Sequence, residues 1–222
     1  MKYKINEIFE SLQGEGTFTG KPSIFVRLQE CPVGCAWCDT KHTWEVSLED
    51  EIKKPQFDLK KEESTKWCSF TSAQLLNLFS ERGYKAKHIV ITGGEPCMYD
   101  LTDLCHAFEA QGYGCQVETS GTFEIKVSKD CWVTLSPKIN MKGGYQVLSS
   151  SYQLASEIKY PVARQSHVDD LQQIIHDNGL EHKKVYLQPI SMKPAATALA
   201  IKSCIENNWM LSVQLHKYLD IE

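Results

Sequence analysis

Apolar and amphipathic stretches alternate along most of the chain. Residues 71–82 carry apolar side chains at helical spacing, with Thr71 or Ser72 at the start and Gly83 past the end. Residues 86–92 follow as an Ile- and Val-rich strand, closed by Gly93-Gly94-Glu95-Pro96. The pattern then repeats. A helix over 100–110 stops at Gly112, and a strand over 113–119 has Glu118 near its end. A strand over 132–135 is followed by Ser136-Pro137-Lys138. Residues 152–162 read as a short helix and then a strand cut off by Pro161. A helix over 168–177 ends at Asn178-Gly179, a strand over 185–188 precedes Pro189, and a last helix covers 195–206. An apolar stretch over 210–215 leads into His216-Lys217-Tyr218. Upstream, residues 23–29 alternate strictly, with Ile24, Val26 and Leu28 on one face and Phe25, Arg27 and Gln29 on the other. Residues 5–9 alternate only in part and run into Leu12-Gln13-Gly14-Glu15-Gly16. That loop is either a plain turn or a place where backbone closely approaches something else.

Strands alternating with helices predict an α/β sheet with right-handed crossovers. About six core strands are expected, starting at 23, 86, 113, 132, 157 and 185. Residues 45–66 break the rhythm: twelve of these 22 are charged, seven acidic and five basic. They read as a solvated, weakly structured insertion at about 45–68 within a single domain spanning 1–222. A closed eight-fold barrel takes ~250 residues, and the remainder here is about 200, so an incomplete, open barrel fits better. An open dinucleotide-binding sheet is the alternative, but its Gly-rich fingerprint is missing from the first strand-to-helix turn.

Composition narrows the classes. A 42% hydrophobic content over 222 residues supports one sizeable core. A net charge of −4 without a basic run argues against a general nucleic-acid binder. No apolar run approaches the ~20 residues of a membrane span, and the first residues lack the apolar block of a secretory signal. A cytoplasmic protein is expected. Nine cysteines, three bunched and six scattered, make a poor disulfide framework and suit a reducing compartment. Cys68, Cys97, Cys105, Cys115, Cys131 and Cys204 sit among apolar neighbours and read as small buried hydrophobes.

The bunched three form Cys31-Pro-Val-Gly-Cys35-Ala-Trp37-Cys38, directly after strand 23–29. Three thiolates can hold three irons of a cubane cluster and leave the fourth iron open to a small molecule. With His42, four residues on, they could instead make a Cys3His zinc knot. Sites in parallel barrels gather where strands end. The cysteine loop, Gly93-Gly94-Glu95-Pro96 and Ser136-Pro137-Lys138 therefore face one pocket. Paired glycines let backbone reach a ligand, or they simply end a strand. Arg27 offers a planar fork to a carboxylate, or a salt bridge at the surface. Asp39 and Thr40 cap a turn, or their oxygens ligate a hard cation.

Cys-x3-Cys-x2-Cys with Trp37 before the last cysteine, followed one strand later by Gly93-Gly94-Glu95, resembles the radical S-adenosylmethionine (SAM) superfamily. Leu12-Gln-Gly-Glu-Gly16, Arg27-Leu-Gln, Cys38-Asp-Thr40, Thr92-Gly-Gly-Glu-Pro, Glu118-Thr-Ser-Gly, Ser136-Pro-Lys138 and Gln214-Leu-His-Lys-Tyr-Leu219 narrow the resemblance to the 7-carboxy-7-deazaguanine synthases. It runs from residue 5 to 219. One departure is Glu30, where that family usually has glycine before the first cysteine.

The resemblance implies an incomplete TIM-like barrel of the radical SAM type. It also implies a lyase of the queuosine (7-deazapurine) pathway that converts 6-carboxy-tetrahydropterin to 7-carboxy-7-deazaguanine, by hydrogen abstraction at C6, ring contraction and loss of ammonia. Cys31, Cys35 and Cys38 would hold a [4Fe-4S] cluster, and Thr40 a Mg²⁺. Trp37, Gly94, Ser136, Pro137 and Lys138 would contact SAM. Leu12, Gln13, Gly14, Arg27 and Thr92 would bind the pterin, with Glu15, Glu118 and His216 as further candidates near it. A homodimer reduced by a flavodoxin-like protein is implied as well. Two rival readings share the cysteine loop: an activase that places a glycyl radical on a partner protein, and a zinc-stabilised interaction module.

Overall fold

The computed structural model describes residues 1–58 and 63–219. Strand β1 (Tyr3–Leu12) pairs antiparallel with β2 (Pro22–Leu28). Helix α1 (Lys54–Asp58) and strand β3 (Cys68–Phe70) follow, β3 pairing antiparallel with β1. Then come α2 (Ser72–Glu81), β4 (His88–Gly93), α3 (Thr102–Glu109), β5 (Gly114–Thr119), β6 (Trp132–Leu135), α4 (Ser149–Leu154) and β7 (Glu157–Val162). The chain closes with α5 (Gln165–Asn178), β8 (Lys184–Pro189), α6 (Pro194–Asn207), β9 (Met210–Leu211) and α7 (Leu215–Leu219). Among the described residues one sheet carries nine strands, in the order β3-β1-β2-β4-β5-β6-β7-β8-β9. From β2 to β9 every pair is parallel. Among the described residues β3 and β9 each have one neighbour, so the barrel is open.

The six expected core strands are β2, β4, β5, β6, β7 and β8, and three more extend the sheet. β1 reads poorly from sequence because its register shifts between Ile5 and Glu7, which breaks the alternation. β3 and β9, at three and two residues, are too short to show a period. Pro161 does not cut β7 short. β6 pairs β7 only at Glu157 and Ile158, so Pro161 has a ladder neighbour on the β8 side alone and its missing N–H costs little.

The two faces of the parallel strands differ sharply. Outward residues such as Ile89, Ile91, Val117, Val133, Ile158 and Leu187 are fully or almost fully buried in two apolar clusters with the helices. Helix α2 starts with a capping box, in which Thr71 Oγ1 accepts from the Gln74 amide and the Gln74 side chain accepts from the Thr71 amide. Its Leu75, Leu78 and Phe79 face the sheet. The inward face instead bears His88, Gln116, Glu118, Thr134, Glu157 and Lys159. Parallel strands ordinarily bury apolar residues on both faces, so a polar interior marks the place of the chemistry.

The charged insertion is more structured than its composition suggests. Phe57 is 3% exposed and meets the Phe70 ring edge-on at 5.1 Å. Trp67 is buried and its indole donates to the Ser47 carbonyl at 3.1 Å. Two aromatic anchors are enough to pin a segment whose described charged residues are exposed or half-exposed. Residues 59–62 lie outside the described residues. No described helix is long and apolar enough to cross a membrane.

Candidate active site

A cavity of about 240 Å³ opens at the C-terminal ends of the parallel strands. One wall is the cysteine loop. The loop is closed at its neck by backbone bonds from the Glu30 amide to the Thr43 carbonyl (2.7 Å) and from the Cys31 amide to the Trp44 carbonyl (3.0 Å). The loop after β4 locks onto the same neck. The Gly94 amide donates to the Leu28 carbonyl at 2.8 Å, and the Glu95 amide to the Glu30 carbonyl at 2.8 Å. A Cβ on Gly93 would overlap Leu28 backbone, and one on Gly94 would overlap the Glu30 carbonyl. The paired glycines are therefore required first for strand-to-strand contact. Gly93 also has φ +116°, outside the comfortable range of side-chain-bearing residues. Glu95 braces this corner, accepting from the Cys97 amide (3.0 Å), the Thr119 hydroxyl (2.6 Å), the Ser120 amide (2.9 Å) and the Ser120 hydroxyl.

Cys31, Cys35 and Cys38 all line the cavity. Burial pushes the Cys31 thiol up to about 12, against the opposing pull of the Val33 amide. Burial also raises Cys35, and Lys138 opposes it. Cys38 Sγ accepts from the Trp44 indole at 3.3 Å. Three such thiols, with Gly94, Ser136 and Lys138 around them, fit a cubane held on three sides; coordination to iron would offset the cost of their ionisation. They do not fit the zinc knot. His42 is outside the cavity lining, its Nδ1 3.5 Å from Glu63. Among the described residues no three His, Cys, Asp or Glu side chains converge on one ion position.

The opposite wall is a buried polar network. Lys159, 4% exposed, donates to Glu118 Oε2 at 2.8 Å and to Glu15 Oε2. Gln188 Nε2 donates to Glu15 Oε1 at 3.2 Å, and Gln13 Nε2 to Glu118 Oε1 at 3.1 Å. Below them Gln116 Oε1 accepts from Gln13 (3.2 Å) and meets His88 Nε2 (3.0 Å). Gln116 Nε2 donates to the Thr134 hydroxyl (2.8 Å), which donates to Glu157 (2.8 Å). Phe18, on the loop after β1, closes the base, 4.4 Å from the His88 ring and 5.1 Å from that of Trp132. Burial works against the Lys159 charge, but the attraction and hydrogen bonds of Glu118 and Glu15 outweigh it and raise its pKa. Lys138, which donates to Ser136 Oγ at 2.6 Å, is pushed down by burial and by Lys159, against the pull of Cys35 and the two glutamates.

The structure brings together most of the residues expected from sequence. Trp37, Thr40, Thr92, Gly94, Ser136, Lys138, Glu15 and Glu118 line the cavity with the three cysteines. Pro137 is buried behind Ser136. Leu12, Gln13 and Gly14 are not in the lining; Gln13 acts from beneath through Glu118, and the Gly14 carbonyl is taken by the Leu215 amide (3.1 Å). Arg27 also lies off the lining, its Nε held by Glu7 at 2.8 Å. His216 falls in α7, and its side chain lies outside what the structure describes. Sequence reading missed Lys159, Gln188, Gln116, Thr134 and Glu157, and it quoted Ser120 and Gln214 within motifs without giving either a role in the site. The signal was present for most of them: Gln116/Glu118, Thr134/Ser136 and Glu157/Lys159 put polar residues at period two on strands expected to be buried.

No family model matches the chain. Among curated proteins it is 51% identical over 222 residues to the 7-carboxy-7-deazaguanine synthase of Escherichia coli strain K12, covering the whole of both chains. It is 47% identical over 222 residues, again covering all of both, to that of Buchnera aphidicola, and 32% identical to that of Synechocystis, covering all of this chain and 94% of the other. The crystal structure of QueE from Escherichia coli superposes with a TM-score of 0.92 at 50% identity, covering 97% of this chain and 95% of that one. Such identity over the full length, carried by the same open barrel, places this chain in the 7-carboxy-7-deazaguanine synthase family.

Proposed function

We propose that this chain is a radical SAM lyase that converts 6-carboxy-tetrahydropterin to 7-carboxy-7-deazaguanine and ammonia, for 7-deazapurine synthesis. The observation that carries this reading is one cavity with three cysteine thiols on one wall and the Glu15–Lys159–Glu118 array on the other. When bound, the cluster and SAM supply one-electron cleavage chemistry and a carbon-centred radical able to take hydrogen from substrate C6. The chain's own residues position, neutralise and exclude water. Cys31, Cys35 and Cys38 would hold the cluster, leaving one iron for SAM. Trp37, Gly94, Ser136 and Lys138 would contact SAM, with Pro137 fixing the loop between the last two. Thr40 would supply one hydroxyl to a Mg²⁺ ion, a hard cation suited to oxygen ligands. Thr92, Glu15 and Glu118 would meet the pterin directly.

Arg27 would reach the pterin carboxylate on releasing Glu7, while Leu12, Gln13 and Gly14 would shape the pterin pocket from beneath. The chain acts as a single domain over 1–222, with the charged stretch at about 45–68 outside the chemistry. A cytoplasmic homodimer served by a flavodoxin-like reductant completes the proposal; these three points are supported by the family resemblance.

Anaerobic turnover of reconstituted protein with 6-carboxy-tetrahydropterin, SAM, Mg²⁺ and a reductant tests the reading, with iron and sulfide counted on the same sample. Product formed without stoichiometric loss of SAM is the expected result. Four irons and released 5′-deoxyadenosine without product would discard the substrate and favour the activase. Zinc in place of iron would remove the whole mechanism.

A further inference from the structure

Of the two lysines that line the cavity, Lys138 and Lys159, Lys159 is the more enclosed. Its side chain is 5% exposed, against 12% and 20% for Glu15 and Glu118. The three groups come from places far apart in the chain: Glu15 on the loop after β1, Glu118 at the end of β5, Lys159 in the middle of β7. The ammonium uses Oε2 of each carboxylate, and amide side chains steady the other oxygens, Gln188 on Glu15 and Gln13 on Glu118. A carboxylate has about four acceptor sites over its two oxygens, so each glutamate keeps acceptor capacity for a ligand. Two carboxylates side by side without a cation would repel, and one would take up a proton and become a donor. The other charged groups near Lys159 are Lys138 from the loop after β6 and Glu157 on its own strand. Glu157 is occupied by Thr134 and the Thr17 amide, and Lys138 by Ser136.

We propose that Lys159 is a positioning residue that holds Glu15 and Glu118 as a fixed pair of ionised acceptors for the N–H donors on the aminopyrimidinone edge of the substrate. The inference rests on the pterin reading above and assigns the residue that sets its specificity. An edge bearing an amino group and a ring N–H matches a pair of ionised carboxylates, which can only accept. An analogue lacking the amino group leaves a buried carboxylate lone pair unsatisfied and is rejected, as sites built around hydrogen bonds reject ligands that lack the partner. Lys159 does not touch the reacting carbon in this account. Its loss is felt in substrate binding and in discrimination more than in the chemical step.

The test compares wild type, Lys159→Met and Lys159→Arg in anaerobic turnover with 6-carboxy-tetrahydropterin and with its 2-deamino analogue. The SAM-induced change in the cluster's electron paramagnetic resonance signal is recorded in parallel. Lys159→Met is expected to raise KM for the pterin at least about 30-fold and to cut the preference over the deamino analogue at least about tenfold. Its SAM signal should stay as in wild type. Lys159→Arg keeps the charge and should recover most of the preference with a KM raised only a few-fold. If Lys159→Met does not fold, the arginine variant and a Lys159→Gln variant carry the same comparison. Unchanged KM and preference in any folded neutral variant overturns the proposal, as does loss of the SAM signal, which would tie Lys159 to the other ligand. A wild type that turns over the pterin while the variants match it leaves the function standing and removes only this role. A wild type with no turnover removes both.

Discussion

The two walls of the cavity are held in place by different means. On the cysteine side, position is set by backbone: four main-chain bonds join residues 28–31 to residues 43–44 and 94–95, and two glycines permit the contact. On the carboxylate side, position is set by side chains. Lys159, Glu15, Glu118, Gln13, Gln188, Gln116 and Thr134 hold one another across five elements. A backbone-held wall fixes where three soft ligands sit whatever the neighbouring side chains are. A side-chain-held wall fixes charge and hydrogen-bond direction, which is what recognition of a polar heterocycle needs. The difference predicts that the two walls fail differently when disturbed.

The largest effect is expected from Cys35→Ser. A hydroxyl is a poor ligand for a cluster that selects thiolates. Iron and sulfide per chain should fall to background and activity by at least about 10³-fold. The fold should survive, because Cys35 is a small side chain and the neck bonds do not involve it; circular dichroism and a thermal melt check this. An unfolded variant would mean that the loop needs its ligand side chains for shape, and the contrast between walls would be lost.

Gly94→Ala comes next. The new methyl group would strike the Glu30 carbonyl, which is backbone and cannot turn away. Either β4 and β2 separate at this point or the neck shifts, at about 2–4 kcal/mol, the range of severe overpacking. Denaturant unfolding should show that loss, and cluster loading should fall although every thiol remains. Full loading at wild-type stability would show that the neck is softer than the backbone bonds imply.

The carboxylate side is probed through pH. His88 is 2% exposed, and burial lowers its pKa from the ordinary 6.5, with the Gln116 bond opposing and Lys21 adding to the shift. Its folded pKa is below the unfolded one, so its contribution to stability is complete above about pH 6.5 and is lost as pH falls toward the folded value. Thermal melts between pH 7.5 and 5 should therefore slope more steeply in wild type than in His88→Gln. His167, also shifted down by burial, is present in both proteins and cancels. Equal slopes would mean that the network accepts a charged His88 by rearranging, which the cysteine side could not do.

These contrasts also explain what the sequence could and could not tell. The cysteine wall lies within one short stretch plus two strand ends, those of β4 and β6, so local motifs announce it; Cys31, Cys35, Cys38, Gly94, Ser136 and Lys138 could all be named from them as residues of one pocket. The six core strands were readable too, because their outward faces alternate cleanly. The carboxylate wall is assembled from pairs such as Gln13 with Gln116, 103 residues apart, and Lys159 with Glu15, 144 apart. No local pattern names such partners. What the sequence did contain was the polar period-two rows on β5, β6 and β7, which identify an inward face once the sheet is known to curl. Arg27 shows the opposite limit. Its place near a strand end was right, but its partner in the structure, Glu7, lies on a strand whose register shift hid it.

Glu30 gives the smallest prediction and the sharpest test of the contrast. It sits at φ +93°, where a side chain is strained by about 1–3 kcal/mol, at the neck of the cysteine loop and directly before Cys31. Lys4 holds its carboxylate at 2.6 Å, with both side chains about one third exposed, so the pair contributes about 1 kcal/mol or less. Replacing Glu30 by glycine relieves the strain, forfeits the ion pair, and adds about 0.4–1 kcal/mol of unfolded-chain entropy. If backbone alone sets this wall, the terms leave Glu30→Gly more stable by about 0.5 kcal/mol, with unchanged iron content. Lys4→Met should then cost less than about 1 kcal/mol in wild type and nothing in the Glu30→Gly background. A Glu30→Gly protein destabilised by more than about 1 kcal/mol would put Lys4 and Glu30 among the groups that hold the neck. The cysteine wall would then depend on a side-chain pair just as the carboxylate wall depends on Lys159.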